Sequence, residues 1–203
     1  MAGAQQAAPS IDLVSDDLDR HYNDLKSLQA GFTETYRGAG ITRTESGTLW
    51  LRRPGKMRWE YTTPREKLFV SDGKTAFFYV PGERQARKAP IEKLDDLRSP
   101  LRYLLGKTRL KKEFEKLTVR AGDVAGTLLV RGVPKGMADR VSEMSLEVNP
   151  QRQIQRILLD ESDGSQTEFV FSRIQENIAV DDARFRFQPP PGVELIEGSS
   201  VTP

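Results

Sequence analysis

The sequence contains no cysteine and only one histidine, and these two shortages exclude several classes of function. Without thiols there can be no disulfide framework, thiolate zinc site, iron–sulfur cluster or cysteine nucleophile. The single imidazole, that of His21, cannot build a multi-histidine metal site, and we expect it to have a structural role. No serine lies in a G-x-S-x-G setting. We therefore predict that the protein is not an enzyme and uses no metal or cofactor.

Long apolar runs are also missing. The densest one, residues 76–80, is followed by Pro81, whereas a membrane-spanning helix needs about 20 mostly apolar residues. The first ten residues, MAGAQQAAPS, have neither the basic region nor the apolar core of an intact signal peptide. We expect a disordered N-terminal segment (1–10), a single domain (11–198) and a C-terminal tail (199–203).

Neither sign of charge dominates, because 31 Lys and Arg face 29 Asp and Glu and leave a net charge of +2. This balance argues against a dedicated nucleic-acid binder. The charge is nevertheless uneven, since residues 98–120 hold eight basic and two acidic side chains. Such a basic segment is either a solvated face or a contact for an acidic partner or anionic headgroups. The residues proposed for that contact are Lys107, Arg109, Lys111 and Lys112.

The spacing of apolar residues predicts one long helix followed by strands. From Ile11 to Leu28 the spacing is helical, and Gly31 is expected to end the helix. Beyond it the period becomes two, with turn sequences in between, which indicates an antiparallel meander. The eleven predicted strands cover residues 32–37, 47–52, 57–61, 68–71, 75–80, 85–88, 114–120, 126–131, 141–148, 153–160 and 166–173. Short helices are predicted within residues 91–106, split at Pro100, and a last helical turn at 181–183.

Several predicted strands are apolar on both faces. Leu49 and Leu51 alternate with Trp50, so large apolar groups lie on both sides of one strand. Such a strand needs cover on both sides, which a curved sheet closed by the amphipathic helices would provide. The pattern leaves open whether the helices enclose a packed core or a lidded cavity.

The most informative segment is residues 52–64, RRPGKMRWEYTTP. Alternation places Met57, Trp59 and Tyr61 on one face, and by parity Arg53 lies on the apolar side that carries Leu49 and Leu51. A guanidinium in that position must find acceptors, because an unpaired buried charge is very costly. Carbonyls at the C-terminal end of a nearby helix are one solution, and a side chain extended into water is the other.

Several short sequence motifs follow one another along the chain in a characteristic order. They are LQAGF at residues 28–32 followed by Thr33, GTLWLRRP at 47–54, MRWEY at 57–61 followed by Pro64, VSDGK at 70–74, FY at 78–79, DARFRF at 182–187 and PPGV at 190–193. Each string is weak alone, but together they span about 170 residues. In this order and spacing the chain resembles the LolA family, the periplasmic lipoprotein carriers of Gram-negative bacteria.

The resemblance implies a mainly β fold with some α: an incomplete antiparallel β-barrel whose apolar cavity is closed by a helical lid. It implies a soluble, monomeric periplasmic chaperone with no nucleic-acid partner. Such a carrier takes the acyl chains of lipoproteins from an inner-membrane ABC-type release complex and delivers them to an outer-membrane acceptor. The alternative is a binding or sensor module of the same fold, which recognises lipoproteins or other amphiphiles and regulates a partner.

The resemblance also implies roles for individual residues. The position that matches Arg53 holds the lid through hydrogen bonds to helix carbonyls, and the position that matches Met57 is a large apolar residue involved in cargo transfer. Many members have Phe at that position, and Met is the more flexible side chain. Members carry a signal peptide, which this sequence does not show. The residues expected to line the cavity are Leu49, Leu51, Met57, Trp59, Tyr61, Leu101, Leu104 and Leu105.

Overall fold

The structure is a computed structural model that describes residues 10–91, 104 and 109–198. Most of the predicted helical interval 91–106, most of the predicted N-terminal segment and the whole predicted tail lie outside the described residues. Within the described ranges, no helix is both long and apolar enough to cross a membrane.

The N-terminal helix, α1, spans Ile11–Asp24 and buries Leu18 and Tyr22 on one side. It ends four residues earlier than predicted, because Leu25 is already extended and Ser27 begins the first strand. Leu28 fits the helical spacing of apolar residues, but it belongs to the first strand, where its side chain is also buried. Gly31 therefore does not end the helix but lies within the first strand, at a register shift.

The described residues form twelve strands, and the prediction of a mainly β fold is confirmed. They are β1 (Ser27–Gly38), β2 (Ile41–Arg52), β3 (Lys56–Thr63), β4 (Lys67–Asp72), β5 (Thr75–Tyr79), β6 (Gln85–Pro90), β7 (Phe114–Ala121), β8 (Leu128–Pro134), β9 (Val141–Val148), β10 (Ile154–Glu161), β11 (Gln166–Glu176) and β12 (Glu194–Glu197). A one-turn helix, α2 (Leu110–Glu113), precedes β7. A 3-10 helix at Asp182–Phe185 coincides with the last helical turn predicted at 181–183.

All twelve strands belong to one open sheet in the order β12-β6-β5-β4-β3-β2-β1-β11-β10-β9-β8-β7. The predicted count of eleven was one short, because β12 was missed. That strand has only four residues, follows a proline-rich stretch and pairs parallel to β6, so the sheet is not wholly antiparallel. Its formation depends on a partner far away in sequence rather than on an apolar pattern of its own.

The sheet curls toward one face. Trp59 on β3 and Phe169 on β11 are three strands apart, a separation of about 14 Å in a flat sheet. Their ring centroids are only 6.3 Å apart. The ring of Phe32 on β1, two strands from β3, lies 4.8 Å from that of Trp59. We call this concave side, which carries the three rings, the inner face.

Part of the opposite, outer face is covered by residues 182–187, which precede β12. The guanidinium of Arg184 lies over the ring of Trp50 at 4.4 Å from its centroid. The ring of Phe187 stacks on Phe77, with centroids 5.2 Å apart. Apolar strands therefore have cover on both sides, as their sequence requires.

Candidate functional site

The inner face of β2 and β3 forms an apolar floor. Cross-strand pairing sets Leu49 opposite Trp59 and Leu51 opposite Met57. Farther along β3, the ring of Tyr61 packs edge-on against Phe32, with centroids 4.8 Å apart. The alternation predicted for β3 is confirmed, because Met57, Trp59 and Tyr61 are buried and the residues between them are less so.

Six of the eight residues expected to line a cavity belong to one buried hydrophobic cluster. These six are Leu49, Leu51, Met57, Trp59, Tyr61 and Leu104. The other two, Leu101 and Leu105, lie outside the described residues. The structure thus places these six residues together in the protein interior. Contact between them and a ligand stays a prediction.

Helix α1 covers this floor and touches both walls of the curved sheet. Leu18 and Tyr22 belong to the same buried cluster. The hydroxyl of Tyr22 accepts a hydrogen bond from the backbone N–H of Ile154 on β10, at 2.7 Å. On the adjacent β11, Glu176 lies 3.0 Å from Nε2 of His21. The last turn of α1 is therefore tied to β10 and β11.

Arg53 attaches the same turn of α1 to the β2–β3 turn. Its Nη1 donates to the carbonyl of Asn23 at 2.6 Å, and its Nη2 donates to the carbonyl of Tyr22. Both carbonyls lie in the last turn of α1, where the helix dipole favours a cation. Burial lowers the pKa of the Arg53 guanidinium from its ordinary value, while the charge of Asp24 raises it. These are acceptors of the kind that the sequence suggested for this side chain.

A narrow crevice of about 10 Å³ lies beside Arg53. Its apolar lining comes from the end of α1, the start of β1, the end of β2 and residue 104, namely from Leu25, Leu28, Leu51 and Leu104. The crevice marks the seam between the helix and the floor. A larger groove of about 300 Å³ on the other side of α1 is lined by six polar or charged residues and one leucine, which makes it unsuited to an acyl chain.

The basic segment meets α1 through an acidic stripe that sequence reasoning missed. Lys111 Nζ lies 2.9 Å from Asp16 and 3.1 Å from Asp12. The backbone N–H of Leu110 points at both carboxylate oxygens of Asp19, each at 3.1 Å. The three aspartates follow the helical spacing of four and three residues, which is the signal that could have revealed the stripe.

The four basic residues proposed for a partner or headgroup contact differ in their placement. Lys111 has the intramolecular partners just described, and hydrogen bonds to Asp16 and Asp12 raise its pKa. Arg109 and Lys112 are exposed, and Lys107 lies outside the described residues. The contact itself stays a prediction.

Reversing the charge of Lys111 should loosen the N-terminal half of α1. In Lys111→Glu, a carboxylate would face Asp12 and Asp16, so we expect amide hydrogen exchange there to rise roughly two- to fivefold at low salt. The effect should shrink at high salt because exposed charges are screened. Lys112→Glu, one residue farther on, is the matched control. Equal exchange rates in the two variants would contradict a clamp at Lys111.

A second polar cluster lies at the far end of the floor, which sequence reasoning also missed. Glu34 and Glu45 are directly opposed on β1 and β2. The hydroxyl of Tyr61 donates to Glu34 at 2.9 Å, and Lys67 Nζ contacts Glu45 at 2.7 Å. Burial raises the pKa of Glu34, and Glu45 adds to the rise, while the hydrogen bond from Tyr61 opposes it.

The raised pKa of Glu34 predicts a pH-dependent loss of stability. Between the ordinary glutamate pKa of 4.5 and the raised value, the folded protein binds more protons than the unfolded one, so stability falls as pH rises. In Glu34→Gln this pH-dependent fall in stability should disappear. The free energy of unfolding of the variant should therefore rise relative to that of the wild type as pH increases across that range. Urea unfolding at a series of pH values would measure it, with the exposed Glu194→Gln as control. Parallel curves for wild type and Glu34→Gln would contradict the assignment.

Chemistry-bearing groups are sparse elsewhere in the described ranges. No group of three or more His, Asp or Glu there is placed to hold a metal ion. The loop around Asp163, acidic in sequence, is a hairpin tip in which that carboxylate accepts from the backbone and hydroxyl of Ser165.

The sequence profile described as outer membrane lipoprotein carrier protein LolA matches residues 23–188. The chain belongs to the LolA family. Among its relatives, a protein of Chromobacterium violaceum named outer-membrane lipoprotein carrier protein is 34% identical, over 95% of this chain and 91% of the relative. An Edwardsiella ictaluri protein of the same name is 32% identical, over 89% and 86%.

Solved structures agree with the LolA assignment at the level of fold. A LolA-superfamily protein of Nitrosomonas europaea superposes with a TM-score of 0.50 at 9% identity, covering 89% of this chain and 99% of that one. LprF of Mycobacterium bovis gives 0.50 at 12% identity, covering 86% and 97%. The incomplete barrel expected from the sequence is confirmed as an open, unclosed sheet of the LolA superfamily.

Proposed function

We propose that this protein is a periplasmic carrier that shields the acyl chains of lipoproteins during their passage to the outer membrane. The observation that carries the proposal is the construction of the inner face. An apolar floor on β2 and β3 is covered by α1, which is held by hydrogen bonds, ion pairs and the packing of Leu18 and Tyr22, without strand pairing into the sheet. Such a cover can move away without unfolding the sheet.

The energetics of an acyl chain explain why a cover of this kind is useful. Each buried methylene contributes about 0.8 kcal/mol, so a sixteen-carbon chain represents on the order of 12 kcal/mol against exposure to water. A carrier must offset much of that and still release its cargo. An apolar floor shields the chain from water, and a cover of modest stability allows the cargo to be released.

The names of the relatives support lipoproteins as cargo and a link to the outer membrane. We infer that lipoproteins are the cargo, that an inner-membrane ABC-type release complex supplies them and that an outer-membrane acceptor receives them. The protein acts as a monomer, and no catalytic step is needed because the cargo leaves unchanged. Arg109 and Lys112, both exposed, are the described residues we assign to a partner or anionic headgroups.

Transfer between membranes tests the proposal. Purified protein would be incubated with phosphatidylethanolamine–phosphatidylglycerol vesicles that contain a fluorescent triacylated lipopeptide. We expect a soluble one-to-one complex, which then delivers the lipopeptide to fresh acceptor vesicles. Absence of a soluble complex would contradict acyl binding. A complex that forms but never unloads would favour the sensor module instead of the carrier.

A further inference from the structure

The indole N–H of Trp59 has no hydrogen-bond partner within the part of the chain that the structure describes. The side chain is completely buried, and its Nε1 is isolated there. A buried donor left unpaired is destabilising, and folded proteins keep very few such groups. Phenylalanine would fill much of the same space without this cost. The indole at this position therefore calls for a functional explanation.

The neighbours of Trp59 that the structure describes on the adjacent strands are apolar. Its cross-strand neighbours are Leu49 on β2 and Phe69 on β4. The rings of Phe32 and Phe169 pack edge-on against it, with centroids at 4.8 and 6.3 Å. The hydroxyl of Tyr61, the next inner-face residue on β3, already donates to Glu34. Among these described neighbours, no side chain offers a free oxygen or nitrogen acceptor to the indole N–H.

We propose that Trp59 Nε1 donates a hydrogen bond to the carbonyl oxygen of a bound acyl group. This inference rests on the proposed function and deepens it, because it names the chemical group recognised. An alkyl chain has no polar atom, and the one acceptor that every acyl chain brings with it is the carbonyl of its ester or amide linkage. In an apolar site that bond forms without competition from water.

The position of Trp59 on the floor fits this role. It lies on β3 between Met57, nearer the Arg53 end, and Tyr61, nearer the Glu34 end. Hydrophobic contact along the floor does not distinguish one alkyl chain from another, since burial is non-directional. One directed donor among these contacts would fix the depth at which the linkage sits and would favour acylated molecules over other apolar ones.

The test compares an ester probe with an ether probe that lacks only the carbonyl, and adds an amide-linked probe. Affinities would be measured for a lipopeptide with two ester-linked palmitoyl chains, its ether-linked analogue and an N-palmitoyl peptide of the same sequence. The ester and amide probes separate the two sources of carbonyl. For the wild type we expect the ester probe to bind about three- to tenfold more tightly than the ether probe. In Trp59→Phe this ratio should fall to about one.

Two further measurements separate hydrogen bonding from packing. Trp50→Phe, which alters the outer face, should keep the wild-type ratio. The indole proton resonance of Trp59 should move downfield with the ester probe and not with the ether probe. Equal wild-type affinities for the two probes, or an unchanged ratio in Trp59→Phe, would overturn the inference while leaving the carrier function intact. If neither probe binds, the proposed function itself fails and this inference fails with it.

Discussion

Met57→Glu is expected to weaken acyl binding more than any other single change on the floor. Met57 is buried, lies opposite Leu51 and is two residues from Trp59 on the same face. A carboxylate there would either stay charged in an apolar site or take up a proton, and both raise the free energy of the loaded state. We expect the affinity for a fluorescent fatty-acyl probe to fall by about 10- to 100-fold, or about 1.4–2.7 kcal/mol.

Two variants separate this effect from damage to the fold. Met57→Leu preserves volume and apolarity and should change the affinity by less than about threefold. Urea unfolding of Met57→Glu would show whether the sheet remains intact. If it does not, Met57→Gln, which is polar but uncharged, provides the same comparison. Full binding by a folded Met57→Glu protein would mean that the acyl site is elsewhere.

The architecture of the sheet was largely predictable because most strands show a local alternation of apolar and polar residues. Alternation placed Met57, Trp59 and Tyr61 on one face, and the structure buries all three. Apolar residues on both sides of β2 required a second cover, which Arg184 contributes over Trp50. The alternation on β3 and the two apolar faces of β2 depend on residues close together in the chain, so periodicity was enough to predict them, whereas the identity of the outer cover was not predicted.

The errors arose where distant partners decide the structure. Leu25 and Leu28 fit a helix and a strand equally well, and pairing between Ser27 and Arg52 settles the boundary. Strand β12 has four residues, and its pairing with β6 bridges about 110 positions of the chain. Local composition contains no record of either contact.

The candidate site divides along the same line. Its apolar floor and the need of Arg53 for acceptors followed from parity and from the cost of burying a charge. Which carbonyls accept, the pairing of Lys111 with α1 and the cluster at Glu34 did not follow, because charged side chains meet across elements without any periodic signal. The acidic stripe on α1 had a helical spacing, but only the structure shows that it faces the basic segment.

Arg53→Leu should change how cargo is released more than whether it is bound. The substitution removes both side-chain hydrogen bonds to the last turn of α1, while the backbone N–H of residue 53 can still donate to the carbonyl of Lys26, at 3.0 Å. Hydrogen bonds from charged donors contribute about 1.5–3 kcal/mol. Loss of about 2 kcal/mol from the closed state would raise the population with α1 displaced by about 30-fold.

That shift has opposite consequences for loading and unloading. The apparent affinity of a ligand rises with the fraction of protein that is competent to bind it, so the variant should bind a triacylated lipopeptide more tightly than the wild type. In the wild type, the hydrogen bonds that Arg53 makes when α1 closes favour release of the cargo. The variant has lost these bonds and so has a smaller free-energy gain from release. Transfer to acceptor vesicles should therefore be slower, by about tenfold or more.

Arg53→Lys distinguishes a directed latch from a simple need for positive charge. Lysine keeps the charge near the helix C-terminus but cannot reproduce the two parallel hydrogen bonds of a guanidinium. The transfer rate of Arg53→Lys should therefore lie between those of the wild type and Arg53→Leu. Hydrogen exchange of the amides in the last turn of α1 should rise in the same order. If transfer and exchange are both unchanged in Arg53→Leu, α1 is held by its contacts with β10 and β11, and Arg53 is not the latch.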